Sequence, residues 1–232
     1  MIRANHHIAY EKFFDLYLGW IMRRDFRRHR ILEFPKGADH MRSLVDASSY
    51  MEEDLPGCLS AAIDDYSILM VGNHFSWWDG FIARTVNRKL IGRKLYVMML
   101  EEQLKPRMFL TRLGAYSIRQ NHRSALETVN YTLDLLQNPE NLVVMFPQGR
   151  FQSIYQQPVS FEKGWFRILQ KAGDHTALVF MVNLVDYFEH RKPTLTTCLR
   201  LVNESFSDVH EVEQAYNAFY KEAAEIANKT WS

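Results

Sequence analysis

Only two cysteines, Cys58 and Cys198, occur in the 232 residues, and they form no C-x-x-C pair. A disulfide framework and a cysteine zinc site are excluded, and a reducing compartment is consistent with this. Ten Gly and seven Pro are too few for a collagen-like or low-complexity chain. No apolar run reaches the roughly 18 residues that a membrane-spanning helix needs. The N-terminal apolar stretch is broken by charges and shows no small-residue cleavage site, so an intracellular protein is expected. A GxxxxGK[ST] loop, a GxGxxG fingerprint and a GxSxG nucleophile elbow are all missing, which leaves no foothold for nucleotide-driven or serine-nucleophile chemistry. His210-Glu211 starts like a zincin helix, but Gln214 stands where the second His would be, so no metal is expected. The net charge of +1 excludes a general polyelectrolyte binder.

What is present is 47% hydrophobic residues, enough for one large globular domain or two small ones. The near-neutral total hides an asymmetry. Residues 1–30 hold seven Lys/Arg (Arg3, Lys12, Arg23, Arg24, Arg27, Arg28, Arg30) against Glu11, Asp15 and Asp25, a surplus of +4 over a body that carries −3. A basic end on an acidic body points to an anionic partner there. Residues 8–26 have helical periodicity, with Tyr10, Phe13, Phe14, Tyr17 and Ile21 on one stripe and Leu18 and Trp20 at its edges. Aromatic rings followed by clustered arginines suit an interfacial helix on an anionic membrane. A core-packed helix with a solvated basic end fits the same pattern. Nucleic acid is not the expected partner, because no basic surplus extends beyond this segment.

From residue 66 the pattern alternates. Strands are expected at Tyr66–Gly72, Leu95–Leu100, Ala115–Ile118, Leu142–Phe146, Ala177–Leu184 and Thr196–Val202. Helices are expected over 78–89, over Glu101–Leu113 with an interruption at Pro106, and over Ser124–Gln137, Phe161–Lys171 and Glu211–Asn228. The expected fold is α/β: a mixed, largely parallel sheet flanked by helices, with an N-terminal amphipathic helix. The division expected is an amphipathic membrane-surface segment at 1–32, a connecting segment at 33–65, and an α/β domain at 66–232.

Three segments carry chemistry. Gly72-Asn73-His74-Phe75-Ser76-Trp77-Trp78-Asp79-Gly80 runs from a strand into a helix, where sites gather in α/β sheets. Five helical residues turn by about 140°, so His74 and Asp79 meet only if His74 sits in the turn and Asp79 in the first helical turn. The carboxylate then accepts the imidazole Nδ1–H, and Nε2 is left as a base. Ser76-x-x-Asp79 is also a capping box, compatible with that role. Trp77 and Trp78 either floor an apolar slot or simply pack. The second segment, Val143-Val144-Met145-Phe146-Pro147-Gln148-Gly149-Arg150, reads as a strand entering a type I turn; its N–H groups suit an oxyanion or phosphate, and Arg150 adds charge. The third clusters Arg112, Arg119 and Arg123 around Gly114, a pattern suited to phosphate or to a solvated polar face.

Together these segments resemble the glycerolipid acyltransferases, the lysophosphatidate and lysophospholipid acyltransferases. That family carries NHxxxxD, present here as Asn73, His74 and Asp79. Its GxxFxxR-type block is approximated by Gly114 and Ile118, with Gln120 in place of the usual Arg and Arg119 one position earlier. Its FPEGTRS block appears as FPQGRFQS: Phe146, Pro147 and Gly149 match, Gln148 replaces Glu, and Arg150 replaces Thr. A following F-x-K-G segment, Phe161 to Gly164, also fits; a late Val-Pro block does not. The ordered set covers roughly residues 66–185.

The resemblance implies transfer of a fatty acyl group from acyl-CoA or acyl carrier protein to a lysolipid hydroxyl. His74 is then the base, Asp79 its orienting partner, and no cofactor is bound. Arg119, Arg123, Pro147, Gln148, Gly149 and Arg150 would hold substrate, and Trp77 and Trp78 the acyl chain. The membrane would supply the acceptor, with the enzyme peripheral on the cytoplasmic face. Gln148 and the displaced arginine leave an aminolipid or glycolipid acceptor open. A thioester hydrolase and a non-catalytic lipid-binding module are the other readings.

Overall fold

The computed structural model describes residues 1–34, 42–46, 63–119 and 122–229. Eight strands form one sheet among these residues: β1 (Arg28–Glu33), β2 (Arg42–Asp46), β3 (Ser67–Gly72), β4 (Lys94–Leu100), β5 (Ala115–Ile118), β6 (Asn141–Met145), β7 (Thr176–Asp186) and β8 (Thr194–Val202). Their order is β2-β1-β8-β7-β3-β6-β4-β5. Only β1–β2 and β7–β8 pair antiparallel; all other neighbours are parallel. The fold is the mixed, largely parallel α/β sheet that the alternating pattern predicts.

The helices are α1 (Ile8–Asp25), α2 (Asp79–Val86), α3 (Glu101–Leu104), α4 (His122–Leu136), α5 (Phe166–Ala172) and α6 (Val209–Lys229). They split the core in two. β3 sends Ile68 and Met70 to one face, packed against Phe14, Leu18 and Ile21 of α1 and Phe81 and Ile82 of α2. Leu69 and Val71 go to the other, against Val129 of α4, Phe166 of α5 and Tyr216 and Phe219 of α6. Every residue of β3 is buried, as a parallel strand covered on both faces requires.

Several sequence expectations need correction. Arg28–Glu33, counted within the basic N-terminal segment, is strand β1, parallel to β8 from Arg28↔Thr194 to Glu33↔Leu199. The boundary drawn after residue 32 therefore falls inside a strand. Most of the expected connecting segment, 33–65, lies outside the described residues. The predicted 78–89 helix is shorter: α2 ends at Val86 and continues as one π turn, Asn87–Ile91, closed by left-handed Gly92. Past α3, Lys105–Leu113 winds as 3-10 turns with a kink at Arg107, one residue beyond Pro106. Gly114 then takes φ +96°, and a Cβ there would lie 1.9 Å from the Leu95 carbonyl oxygen, so only glycine fits this corner.

The stripe expected on α1 is divided between core and surface. Phe14 and Ile21 are buried, together with Leu18 and Met22. Phe13, Tyr17 and Trp20 stand exposed with Leu16 and Ile8. Spacings of three and four residues put Phe13, Leu16, Tyr17 and Trp20 side by side. Arg24 stacks over the Trp20 ring at 5.2 Å.

Candidate active site

The parallel strands β3, β6, β4 and β5 end on one side of the molecule, and the site lies at that rim. His74 is in the turn after β3, and Asp79 opens α2. His74 Nδ1 is 2.7 Å from Asp79 Oδ2, and the same oxygen accepts the backbone N–H of Phe75 at 2.9 Å and of Ser76 at 3.1 Å. A carboxylate ringed by fixed donors orients the imidazole, which donates from Nδ1 and presents Nε2 as the acceptor. Asp79 is almost fully buried. That burial pushes its carboxyl above the ordinary value, and the bonds from His74, Ser76 and Phe75 oppose the rise. Ser76 is not the N-cap expected, since α2 begins three residues later; its hydroxyl accepts from Trp78 N–H and donates to Asp79 Oδ1.

The turn after β6 holds His74 from the other side. Gly149 N–H closes the Phe146–Gly149 turn on the Phe146 carbonyl at 3.2 Å. Gly149 has φ +64°, and a Cβ there would press on Glu162 at 3.1 Å. Gln148, expected to touch substrate, is buried: its Oε1 accepts the His74 backbone N–H at 2.6 Å, and its Nε2 donates to Gln152 Oε1 at 3.0 Å. Gln152 N–H donates in turn to the His74 carbonyl at 2.8 Å. Both backbone polar groups of His74 are thus fixed by one loop. The imidazole stacks on Phe146 at 5.0 Å and lies tilted against the exposed Phe151 at 4.2 Å. Gly149 N–H is spent on the turn, while the backbone N–H groups of Gln148, Arg150 and Phe151 have no hydrogen-bond partner among the described residues.

Asn73 anchors the whole corner. Its Nδ2 donates to the Asn183 carbonyl at 2.9 Å and its Oδ1 accepts the Asn183 N–H at 2.8 Å. Thr197 donates to Asn183 Oδ1, and the Thr197 oxygen bonds His29 Nε2 at 3.0 Å, so polar contacts run from β3 through β7 and β8 to β1.

A cavity of about 550 Å³ opens beside His74. Its walls include Phe81, Leu95, Val97, Leu110, Leu113 and Ala115, with Trp77 and Phe151 at the rim. Trp77 lines it; Trp78 instead packs edge-on against Phe26 at 5.2 Å. Pro147, Gly149 and Arg150 line it as well. Arg119 does not. It is drawn to Glu101, its Nε 2.7 Å from Oε2. Arg119, then Lys105 and Ser117, hold the Glu101 carboxyl down at about 2. Arg112 lies over the Tyr10 ring, and the Arg123 side chain lies outside the described residues. The arginines on the cavity are Arg84, Arg107 and Arg150, of which the sequence motifs single out only Arg150. No group of three or more metal-ligating side chains occurs among the described residues. Burial pushes the Cys198 thiol up to about 12, which leaves it a core residue.

The geometry is that of an oriented His–Asp pair beside a largely apolar cavity. The Acyltransferase family model matches residues 51–183. The chain belongs to that family, the glycerolipid and lysophospholipid acyltransferases. The acyltransferase match spans β3 through most of β7 and so contains the whole His74 corner. Comparison with curated proteins returns no match.

Proposed function

We propose that this acyltransferase moves a fatty acyl group from an acyl-CoA or acyl carrier protein thioester to the hydroxyl of a lysolipid. The reading is carried by the 2.7 Å His74–Asp79 contact at the mouth of a cavity lined by hydrocarbon. The acyl chain lies in the cavity with the thioester carbonyl at the rim. The lysolipid hydroxyl gives its proton to His74 Nε2 as its oxygen attacks the carbonyl carbon. The resulting oxyanion accepts from the Arg150 and Phe151 N–H groups. Collapse breaks the C–S bond, and the departing thiolate recovers the proton from His74. Asp79 supports the imidazolium throughout. A thioester is already activated, so no protein nucleophile is needed. Arg107 and Arg150 offer cations for phosphate on the acceptor or on the donor carrier.

The acceptor resides in a membrane, and α1 supplies the contact. Its exposed Phe13, Leu16, Tyr17 and Trp20 enter the acyl boundary, and Arg23, Arg24 and Arg27 meet anionic headgroups. No described helix is long and apolar enough to cross a bilayer, and the attachment proposed is peripheral, on the cytoplasmic face. One such helix binds reversibly.

The test is a thioester assay on vesicles with and without lysolipid. Acylated lipid should form only when lysolipid is present, and His74→Ala should slow it by about 10²–10⁴-fold. Release of free fatty acid without acceptor would make the protein a hydrolase. Unchanged turnover in His74→Ala would remove His74 from the chemistry.

A further inference from the structure

One cavity wall residue is out of place. Arg84 lies on the same face of α2 as Gly80 and Phe81, and all three line the cavity. It is 7% exposed. Five residues separate it from Asp79, about 7.5 Å along the helix axis. The helix runs against the strands, so Arg84 sits toward their amino ends, where Leu95 near the start of β4 and Ala115 at the start of β5 also line the cavity. This is the end remote from His74.

Three of the five guanidinium N–H groups are spent. Nε donates to Asp15 Oδ1 at 2.6 Å, and Nη2 donates to Asp15 Oδ2 at 3.2 Å and to Glu11 Oε2 at 3.3 Å. Glu11 is itself held by His6 Nδ1 at 2.8 Å. The tethers come from α1 and fix how the fork is turned. Nη1 has no hydrogen-bond partner among the described residues. A guanidinium carries two N–H groups there, and Arg84 shares the lining of the cavity with Phe81, Leu95, Leu110 and Leu113. Hydrocarbon cannot satisfy them, and a bare chain pushed against them removes any water they hold. An oxygen on the chain satisfies them.

We propose that Arg84 determines acyl specificity: the cavity takes an acyl group bearing a hydroxyl or keto oxygen part-way along its chain, and Arg84 Nη1 donates to that oxygen. This rests on the cavity being the acyl site, as proposed above. Asp15 and Glu11 are positioning residues, which keep the fork turned toward the chain. The same deep end rejects an unsubstituted chain long enough to reach it.

The test is a binding measurement that needs no turnover. The tryptophan fluorescence of the full chain, with Trp77 on the cavity wall, is titrated with stearate and with hydroxystearates carrying the hydroxyl at successive positions. One position should bind about ten-fold or more tighter than stearate. Arg84→Met should abolish that preference and tighten stearate, because the cation no longer faces a bare chain. Arg84→Lys keeps a cation for Asp15 but lacks the second arm of the fork, so it should also lose the preference, and it serves if the Met variant does not fold. Equal binding of plain and hydroxylated chains by the wild type, or a preference that survives both substitutions, overturns the proposal. A protein that discriminates but transfers no acyl group would instead refute the acyltransfer reading and leave this one standing.

Discussion

The two faces of the sheet take alternate residues of the same strands, yet one face is filled and the other is hollow. On the filled face, Tyr216, Phe219 and Tyr220 of α6 lie fully buried against Phe180, and the Tyr216 hydroxyl donates to the Met181 carbonyl at 2.7 Å. On the other face, α1, α2 and the Lys105–Leu113 turns cover the strands without closing on them, and about 550 Å³ remains. Gly80 contributes to the gap: a Cβ there would meet nothing closer than Val97 at 4.0 Å. The filled face stores stability, and the hollow face gives it up for a site. The same asymmetry reaches the surface, because α1 over the hollow face carries exposed aromatic rings.

The largest effects should separate the two faces. Phe219→Ala empties a packed position and should cost about 3–5 kcal/mol in urea unfolding. Val97→Phe fills the hollow and should change stability by less than about 1.5 kcal/mol. It should cut acyl transfer by about 10²-fold, because the chain can no longer seat. If Val97→Phe instead unfolds the protein while turnover per folded molecule is unchanged, the hollow is not the acyl site. A smaller effect is expected on α1. Phe13→Ser with Trp20→Ser should reduce partitioning onto anionic vesicles by about ten-fold. Stability should stay within about 0.5 kcal/mol, since neither ring is in the core. Sedimentation with vesicles and a thermal melt check the two halves of that statement.

The smallest expected effect concerns Arg119, which the sequence places with the substrate and the fold places on Glu101. The Glu101 carboxyl falls from 4.5 to about 2 beside it. A depressed carboxyl adds stability above its unfolded value and loses it as pH falls through the folded one. Arg119→Ala should therefore lower the urea midpoint slightly at neutral pH, and the gap from wild type should close between pH 4.5 and about pH 2. A large loss of turnover in this variant would return Arg119 to the substrate.

What could be read in the sequence was local. The His74–Asp79 corner was legible because five residues and a strand-to-helix turn suffice to build it. Strands β3 to β8 were legible as short apolar runs between turn signals. β1 was not, because Arg28, His29 and Arg30 prolong the basic helix end, and only pairing with β8 makes a strand of them. Arg84 was illegible for the same reason: its carboxylate, Asp15, lies 69 residues away. Gln148 was found as a motif position, but its hold on the His74 backbone, 74 residues off, needed the fold. Phe151 carried no signal until β6 brought its turn beside His74.

The central claim is that His74 is presented as a base, with Nδ1 protonated toward Asp79 and Nε2 bare toward the cavity. Nitrogen-15 spectra of the ring in the unliganded protein, with the histidine neutral, test it directly. The account predicts a proton on Nδ1 and a pyridine-like Nε2, with that preference lost in Asp79→Asn. A proton on Nε2 in the wild type would contradict it.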